Sequence, residues 1–165
     1  MIVETSRLVI RELTADDAEF ILRLTNEPSF VANIGDKGIR DLDDARRFLR
    51  EGAWTNQPLP GYGQFLVELK EDGAAAGICG LLYRENLDLT DVGFAFLPAY
   101  WGRGLALEAA RAVMEYGTSK LGVSAFVGLT TKENARSIRV LEKLGLRFQK
   151  IVKMSPDDPG TALYG

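Results

Sequence analysis

The sequence contains no histidine in its 165 residues, and it has a single cysteine, Cys79. Without histidine, a Ser-His-Asp or Cys-His catalytic unit cannot be built, and zinc sites that use His ligands are excluded. One cysteine also excludes an internal disulfide and Cys-x-x-Cys chemistry. We therefore expect no metal site, and we expect proton transfer to use carboxylates, Tyr, Lys, Cys or water.

Long apolar runs and a basic surface are missing as well. No stretch approaches the roughly 18 consecutive apolar residues of a membrane span, and the start, MIVETSRLVIREL, lacks the basic and apolar regions of a secretory signal. The net charge of −3 does not favour nucleic acid or an anionic membrane as a partner. We expect a cytoplasmic protein, either a monomer or a homodimer. Cys79 lies in the apolar run GICGLL and is expected in the core.

The order of predicted elements indicates an α/β (α+β) chain that folds as one domain, residues 1–165. Periodicity and turn signals place strands at 7–13, 64–70, 74–85, 91–96, 125–131, 146–154 and 162–165, and helices at 14–26, 42–52, 104–121 and 134–145. This order predicts a mixed, mostly antiparallel central sheet of about six to seven strands with helices on both faces. Gly93 interrupts a strand, which is typical of a β-bulge or of a close approach by another group.

Two glycines, Gly102 and Gly104, stand at the start of the longest predicted helix. They could allow a backbone turn with positive φ, or they could let a phosphate approach the free N–H groups of the helix. No GxxxxGK[ST] string is present, and GxGxxG fails at Leu107. The glycines also follow the third strand of a meander rather than the first strand of a βαβ unit, so neither nucleotide-binding fold is indicated.

Three strings, in order, resemble the GNAT superfamily of N-acetyltransferases. Residues 101–106, WGRGLA, match its central Q/R-x-x-G-x-G/A motif, with Trp101 in place of the usual polar residue. The string ENARSIRVLEKLGLRF resembles a second motif, with Leu146 in place of an aromatic residue. The opening TSRLVIRELTADDAEFILRLTNEPSF resembles the branch that includes the ribosomal-protein N-terminal acetyltransferases.

The resemblance implies that the chain binds acetyl-CoA and transfers its acetyl group to an amine. The pyrophosphate would contact the N–H groups of residues 102–106, and pantetheine would pair with the edge of strand 91–97, which would splay away from strand 125–130. The implied cofactor-binding residues are Phe94, Phe96, Leu97, Trp101, Gly102, Arg103, Gly104, Leu105, Ala106 and Asn134. Trp101 could instead be a packing residue, and Asn134 could be a helix N-cap. Arg136 and Arg139 could reach the 3′-phosphate or form a solvated helix face.

By the same resemblance, Asp91 is the expected general base and Ser137 is the residue expected to support departure of the sulfur. Asp91 could instead be a turn residue, and Glu68 is a second choice of base. Relatives often carry a general-acid Tyr at the position of Leu141, so its role would fall to Ser137, another Tyr or water. Transfer would be direct. A coenzyme-A-binding sensor or scaffold without turnover is the alternative function.

The sequence does not identify the acceptor. A protein N-terminus, an antibiotic or other small amine, and an amino acid are all compatible with the motifs. Its pocket is expected to form from the irregular segments 26–40 and 56–63.

Overall fold

The computed structural model describes residues 1–165 and contains eight strands and five helices. The strands are β1 (Val3–Glu4), β2 (Leu8–Glu12), β3 (Gly63–Leu69), β4 (Ala75–Arg84), β5 (Leu89–Phe96), β6 (Gly128–Thr130), β7 (Phe148–Val152) and β8 (Thr161–Tyr164). The helices are α1 (Ala18–Thr25), α2 (Pro28–Asn33), α3 (Leu42–Glu51), α4 (Leu105–Leu121) and α5 (Ala135–Lys143). None of these helices is both long enough and apolar enough to span a membrane.

The strands form two antiparallel sheets. The larger has the order β1-β2-β3-β4-β5, and the smaller has the order β6-β8-β7. A single parallel bridge between Asp91 and Val127 links the two. The mostly antiparallel α+β fold is therefore confirmed, but the strands number eight and are divided between two sheets. The division arises because β5, on its edge away from β4, pairs only with Val127, the residue before β6, and not with β6 itself.

Two helix signals in the sequence are confirmed by cap geometry. Thr14 forms a capping box with Asp17 at the turn before α1. Gly145 follows the end of α5 with φ +90°, the left-handed conformation that glycine adopts most readily. The segment 26–40, in contrast, is not irregular throughout as the sequence predicts, because part of it forms α2. Pro28 begins this helix, a position where its missing N–H costs nothing.

The two faces of the larger sheet pack on two separate hydrophobic cores. Side chains such as Val67, Leu81 and Val92 pack against α4, whereas Ile78 and Leu97 pack with α1, α2 and α3. Successive residues of a strand point to opposite faces. On β5, Phe94 and Phe96 therefore face α4, and Asp91, Gly93 and Ala95 face α1–α3.

Cys79 is fully buried in the core beside α4. Burial raises the pKa of its thiol, because desolvation disfavours the thiolate. The prediction that Cys79 is a core residue rather than a nucleophile is confirmed.

Candidate active site

An edge of β5 is open over its last residues. Val92 donates to the carbonyl of Val127 at 2.9 Å, and Val127 donates to the carbonyl of Thr90 at 2.9 Å; beyond these bonds the two strands separate. Since backbone groups alternate in direction along a strand, the N–H and C=O groups of Phe94 and Phe96 point to this open edge. The expected splay between β5 and the following strand is present.

Trp101 lies against this open edge. Its indole Nε1 donates to the carbonyl of Phe96 at 2.9 Å, and the guanidinium of Arg136 lies 3.5 Å from the centre of its ring. Such a cation–π contact is favourable by about 0.5–2 kcal/mol. A carbonyl oxygen can accept two hydrogen bonds, so the Phe96 carbonyl can still accept a second donor. Trp101 therefore joins β5 to α5 across the opening.

The glycine turn before α4 exposes a row of backbone donors. Gly102 and Gly104 have φ values of +74° and +75°, and Gly104 is the N-cap of the 17-residue helix α4. The N–H groups of residues 102–107 donate to no acceptor in the protein, and the first paired one belongs to Glu108, which donates to Gly104 at 3.1 Å. A helix N-terminus with unpaired N–H groups attracts anions, and this turn has the geometry of a phosphate site.

Two adjacent cavities lie beside this turn and the open edge of β5. One, of about 80 Å³, lies between α1, α2, β5 and α5, and the other, of about 240 Å³, follows the glycine turn and α5. Their shared lining residues are Phe96, Trp101, Ala106, Arg136 and Val140. We call the two cavities together the cleft.

Most of the implied cofactor residues line the cleft. They are Phe94, Phe96, Trp101, Gly102, Gly104, Leu105, Ala106 and Asn134, and the expected catalytic residue Ser137 lines it as well. Leu97 does not line it, because its side chain is 1% exposed within the core beside α1–α3 and its N–H donates to Ala76 at 3.0 Å. The side chain of Arg103 also turns away and lies 3.4 Å from Glu71, so only its backbone N–H faces the phosphate site.

Asn134 and Ser137 lie together at the start of α5. Asn134 Oδ1 accepts from the N–H of Ser137 at 3.2 Å, which caps the helix. The amide nitrogen of Asn134 and the hydroxyl of Ser137 have no hydrogen-bond partner in the protein, and both residues line the cleft. Asn134 can thus cap α5 and contact a ligand through different atoms.

Asp91 is buried and ion-paired. The carboxylate is 2% exposed, and its Oδ2 lies 2.8 Å from Nη2 and 3.0 Å from Nε of Arg84, whereas Oδ1 has no partner. Burial raises the pKa of Asp91, and the charge of Arg84 opposes this shift. Asp91 does not line the cleft. Glu68, the second choice of base, is likewise paired with an arginine, Arg11, at 3.1 Å.

Gly93 makes room for a neighbouring side chain and is not part of a β-bulge. The ladder between β4 and β5 is continuous through the pair Gly80–Gly93, so the expectation of a bulge was wrong and the alternative of a close approach is confirmed. A Cβ at position 93 would lie 2.6 Å from Nε2 of Gln64. Gln64 is 6% exposed, and its Oε1 has no hydrogen-bond partner.

We expect Gly93→Ala to lower the free energy of unfolding by about 1 kcal/mol, the low end of the usual cost of overpacking, because the amide end of the Gln64 side chain can shift. Urea unfolding measures the change. Because the added methyl group would meet Gln64, the same substitution should cost less in a Gln64→Ala background. An equal cost in both backgrounds would show that Gln64 is not the obstacle.

The general-acid tyrosine of relatives is replaced by leucine in this chain, and the tyrosine that lines the cleft is Tyr100, at the glycine-turn end. Leu141, at that position, is 1% exposed and packs on Gly128. The hydroxyl of Tyr62 is hydrogen-bonded to the hydroxyl of Thr90, and the hydroxyl of Tyr116 donates to the carbonyl of Gly61. The hydroxyl groups of serine that line the cavity between α2 and α5 are those of Ser29 and Ser137.

The comparison with known proteins decides the family. The family model described as "Acetyltransferase (GNAT) domain" matches residues 7–147. The chain belongs to the GNAT family. It is an acetyl-CoA-dependent N-acetyltransferase, and the resemblance seen in the sequence is confirmed.

Individual relatives are similar over most of their length. "Uncharacterized protein YkkB" of Bacillus subtilis is 30% identical over 142 residues, which cover 84% of this GNAT chain and 80% of YkkB. "Uncharacterized N-acetyltransferase YnaD" of the same species is 27% identical over 153 residues, 93% of this chain and 86% of YnaD. The solved structure of the ribosomal L7/L12 α-N-protein acetyltransferase RimL with coenzyme A superimposes with a TM-score of 0.83 at 14% identity, covering 99% and 95% of the two chains, which shows a shared fold.

Sequence reasoning missed two charged residues of this GNAT cleft, Glu27 and Lys143. Glu27 lines the cavity beside α2, but an irregular segment over 26–40 gives no reason to single it out. The dipeptide Glu27-Pro28 is the signal that could have found it, because Pro favours the first position of a helix and forces an extended backbone on the residue before it.

Proposed function

We propose that the protein transfers the acetyl group of acetyl-CoA directly to a primary amine, with no covalent intermediate on the enzyme. The cleft, whose adjacent cavities lie beside the unpaired N–H groups before α4 and the open edge of β5, is the observation on which this proposal depends. An acyl-enzyme on Cys79 is disfavoured because that thiol is fully buried and does not line the cleft. The acceptor can be a protein N-terminus or a small-molecule amine.

In this proposal the residues along the cleft bind successive parts of the cofactor. The N–H groups of residues 102–106 would hold the pyrophosphate, and Arg136, Arg139 and Lys143 lie along the same end of the cleft, where their charges would favour phosphates. The backbone groups of Phe94 and the N–H of Phe96 would pair with the pantetheine amides, as in strand addition, and the Phe96 carbonyl could accept a second donor beside Trp101. Such an arrangement would bring the thioester to the cavity beside α2.

The reaction then requires loss of two protons from the ammonium form of the acceptor. The neutral nitrogen attacks the thioester carbonyl, a C–N bond forms, and the C–S bond breaks with its electron pair remaining on sulfur. One proton of the nitrogen reaches sulfur and the other leaves to water. Unpaired backbone N–H groups near the thioester would stabilise the oxyanion of the tetrahedral intermediate. The hydroxyl of Ser137 would donate to the departing sulfur and relay its proton.

We expect Ser137→Ala to lower kcat by about tenfold or more, since general acid catalysis contributes about 10²–10⁴ and water can partly replace a hydroxyl. The Kd for acetyl-CoA should change little, because the hydroxyl acts mainly in the transition state. Thiol release under saturating acetyl-CoA measures kcat, and calorimetry measures Kd. Ser119→Ala, on the exposed face of α4, is the matched control. An unchanged kcat in Ser137→Ala would remove Ser137 from the reaction.

The proposed function is tested by titrating acetyl-CoA into the protein and then following thiol release with a panel of peptides and small amines. Binding with thiol release supports the transferase. Binding without release for every amine would instead support a coenzyme-A-binding sensor or scaffold, an alternative favoured by the burial of Leu141 where relatives have an acid. No binding of acetyl-CoA would contradict both.

A further inference from the structure

The charges that line the cleft are unevenly distributed. Along the glycine turn and α5 they are all positive, from Arg136, Arg139 and Lys143. Beside α2, Glu27 is the one carboxylate among the lining residues of either cavity, and the one cation there is Arg136, which lines both cavities and packs on the ring of Trp101. A cleft with phosphate-binding cations at one end therefore has a negative charge at the end where the acceptor would enter.

The carboxylate of Glu27 has no partner in the protein, but the backbone of Glu27 is held in place. Its backbone N–H donates to Leu24 at 3.2 Å, and its carbonyl accepts from Val31 at 3.0 Å, which holds the residue between α1 and α2. The side chain is half-buried and forms no salt bridge or hydrogen bond within the protein. Asp91 and Glu68, in contrast, are each paired with an arginine and do not line the cleft.

We infer that Glu27 binds a cationic group of the acceptor and that the acceptor is an amine with a second positive centre. This inference rests on the proposed function. The nitrogen that attacks must be neutral at that moment, so a carboxylate retains the acceptor best through a different nitrogen that stays charged. A charge-assisted hydrogen bond in a half-buried site is about twice as strong as a neutral one.

The remaining surface of this cavity fits a short alkyl chain. Apolar side chains supply most of its walls: Leu24, Phe30, Ile34, Phe94, Phe96 and Val140. The amide of Asn33 is engaged within the protein, because its nitrogen donates to Ser29 at 3.0 Å and its oxygen accepts from Thr131 at 3.4 Å. An α,ω-diamine matches such a site, with methylene groups against the apolar walls and one ammonium at Glu27. A carboxylate in place of that ammonium would be repelled by Glu27.

Three acceptors of equal chain length separate these effects: 1,5-diaminopentane, pentylamine and 5-aminopentanoate. For the wild-type protein, kcat/KM should be about tenfold or more higher for the diamine than for pentylamine, and lowest for the amino acid. Glu27→Gln should lower kcat/KM of the diamine about tenfold, leave pentylamine within about threefold, and raise that of 5-aminopentanoate. Glu19→Gln, which removes an exposed charge from α1 outside the cleft, should leave all three unchanged.

A binding measurement makes the test independent of turnover. Calorimetric titration of 1,5-diaminopentane into protein saturated with coenzyme A should give a Kd about tenfold lower for wild type than for Glu27→Gln. Equal affinities, no binding to the wild type, or an equal loss of kcat/KM for all three acceptors would overturn the inference. If acetyl-CoA bound but no amine released thiol, the proposed transfer would fail while the diamine titration would still decide the role of Glu27.

Discussion

Gly104→Val is expected to raise the Kd for acetyl-CoA about tenfold or more, which corresponds to the loss of one or two charge-assisted hydrogen bonds. Gly104 has φ +75° and precedes the first turn of α4. A β-branched side chain avoids this region of φ, so the turn would rearrange and the N–H groups of residues 102–106 would no longer point to one place. The Cβ would also occupy the space through which a phosphate approaches the backbone. Calorimetry measures the affinity.

The matched control for this substitution is Gly73→Val. Gly73 lies in the turn between β3 and β4 with φ +72°, and a Cβ atom at this position would meet no other atom within 4 Å. At Gly104 a Cβ atom would meet only the guanidinium of Arg7, at 3.6 Å. Both valine variants should therefore lose a similar amount of stability, about 1–2 kcal/mol from backbone strain, and both should stay folded. Only Gly104→Val should lose affinity, and an unchanged Kd in that folded variant would place the phosphates elsewhere.

Arg84→Met is expected to lower the free energy of unfolding by about 1–3 kcal/mol at neutral pH, less than the loss for a fully buried ion pair because the Arg84 side chain is 35% exposed. Asp91 is 2% exposed, and one of its oxygens is already without a partner. Removing Arg84 would take away the one charged partner of this carboxylate. Urea unfolding of the two proteins gives the difference.

The loss of stability in Arg84→Met should increase with pH. Burial already raises the pKa of Asp91 in the folded protein, and removal of the arginine charge would raise it further. When the pKa of a carboxyl is higher in the folded than in the unfolded protein, folding favours its protonated form. The destabilisation is therefore absent below about pH 4, and it grows as the pH rises through the folded pKa. The deficit of Arg84→Met should thus be largest at neutral to alkaline pH.

The double variant Arg84→Met, Asp91→Asn is the control for this ion pair. It removes the buried charge together with its partner, so it should be more stable at neutral pH than Arg84→Met alone and should lose the pH dependence. A deficit that stayed constant from about pH 4 to pH 8 would show that Asp91 is not its source. Comparing kcat of the two variants also tests whether Asp91 acts as a base.

Much of this fold could be predicted because local signals agree with the tertiary structure. The meander of β3, β4 and β5 follows from alternating patterns joined by turn residues, and the helix that starts at Asn134 has a side-chain cap at its beginning and a glycine after its end. The glycine turn could be located from its motif, since positive φ at Gly102 and Gly104 is a property of those residues themselves.

The remaining features of the fold and the site could not be predicted, because they depend on strand register and on which face of a strand is covered. Asp91 and Arg84 lie seven positions apart, and only the pairing of β4 with β5 brings their side chains together. Leu97 follows β5 directly and was expected at the cofactor, but alternation turns it into the other core. The free carboxylate of Glu27 could not be recognised until α2 was known to form one wall of the cleft.

The position of the two tryptophans gives the protein a natural optical signal. Trp101 lines the cleft beneath the guanidinium of Arg136, whereas Trp54 is 6% exposed in the core beside α1–α3. Emission from Trp101 should respond when a cofactor fills the cleft, and emission from Trp54 should respond to unfolding. In a Trp54→Phe variant, cofactor occupancy could therefore be followed by intrinsic fluorescence with no added label.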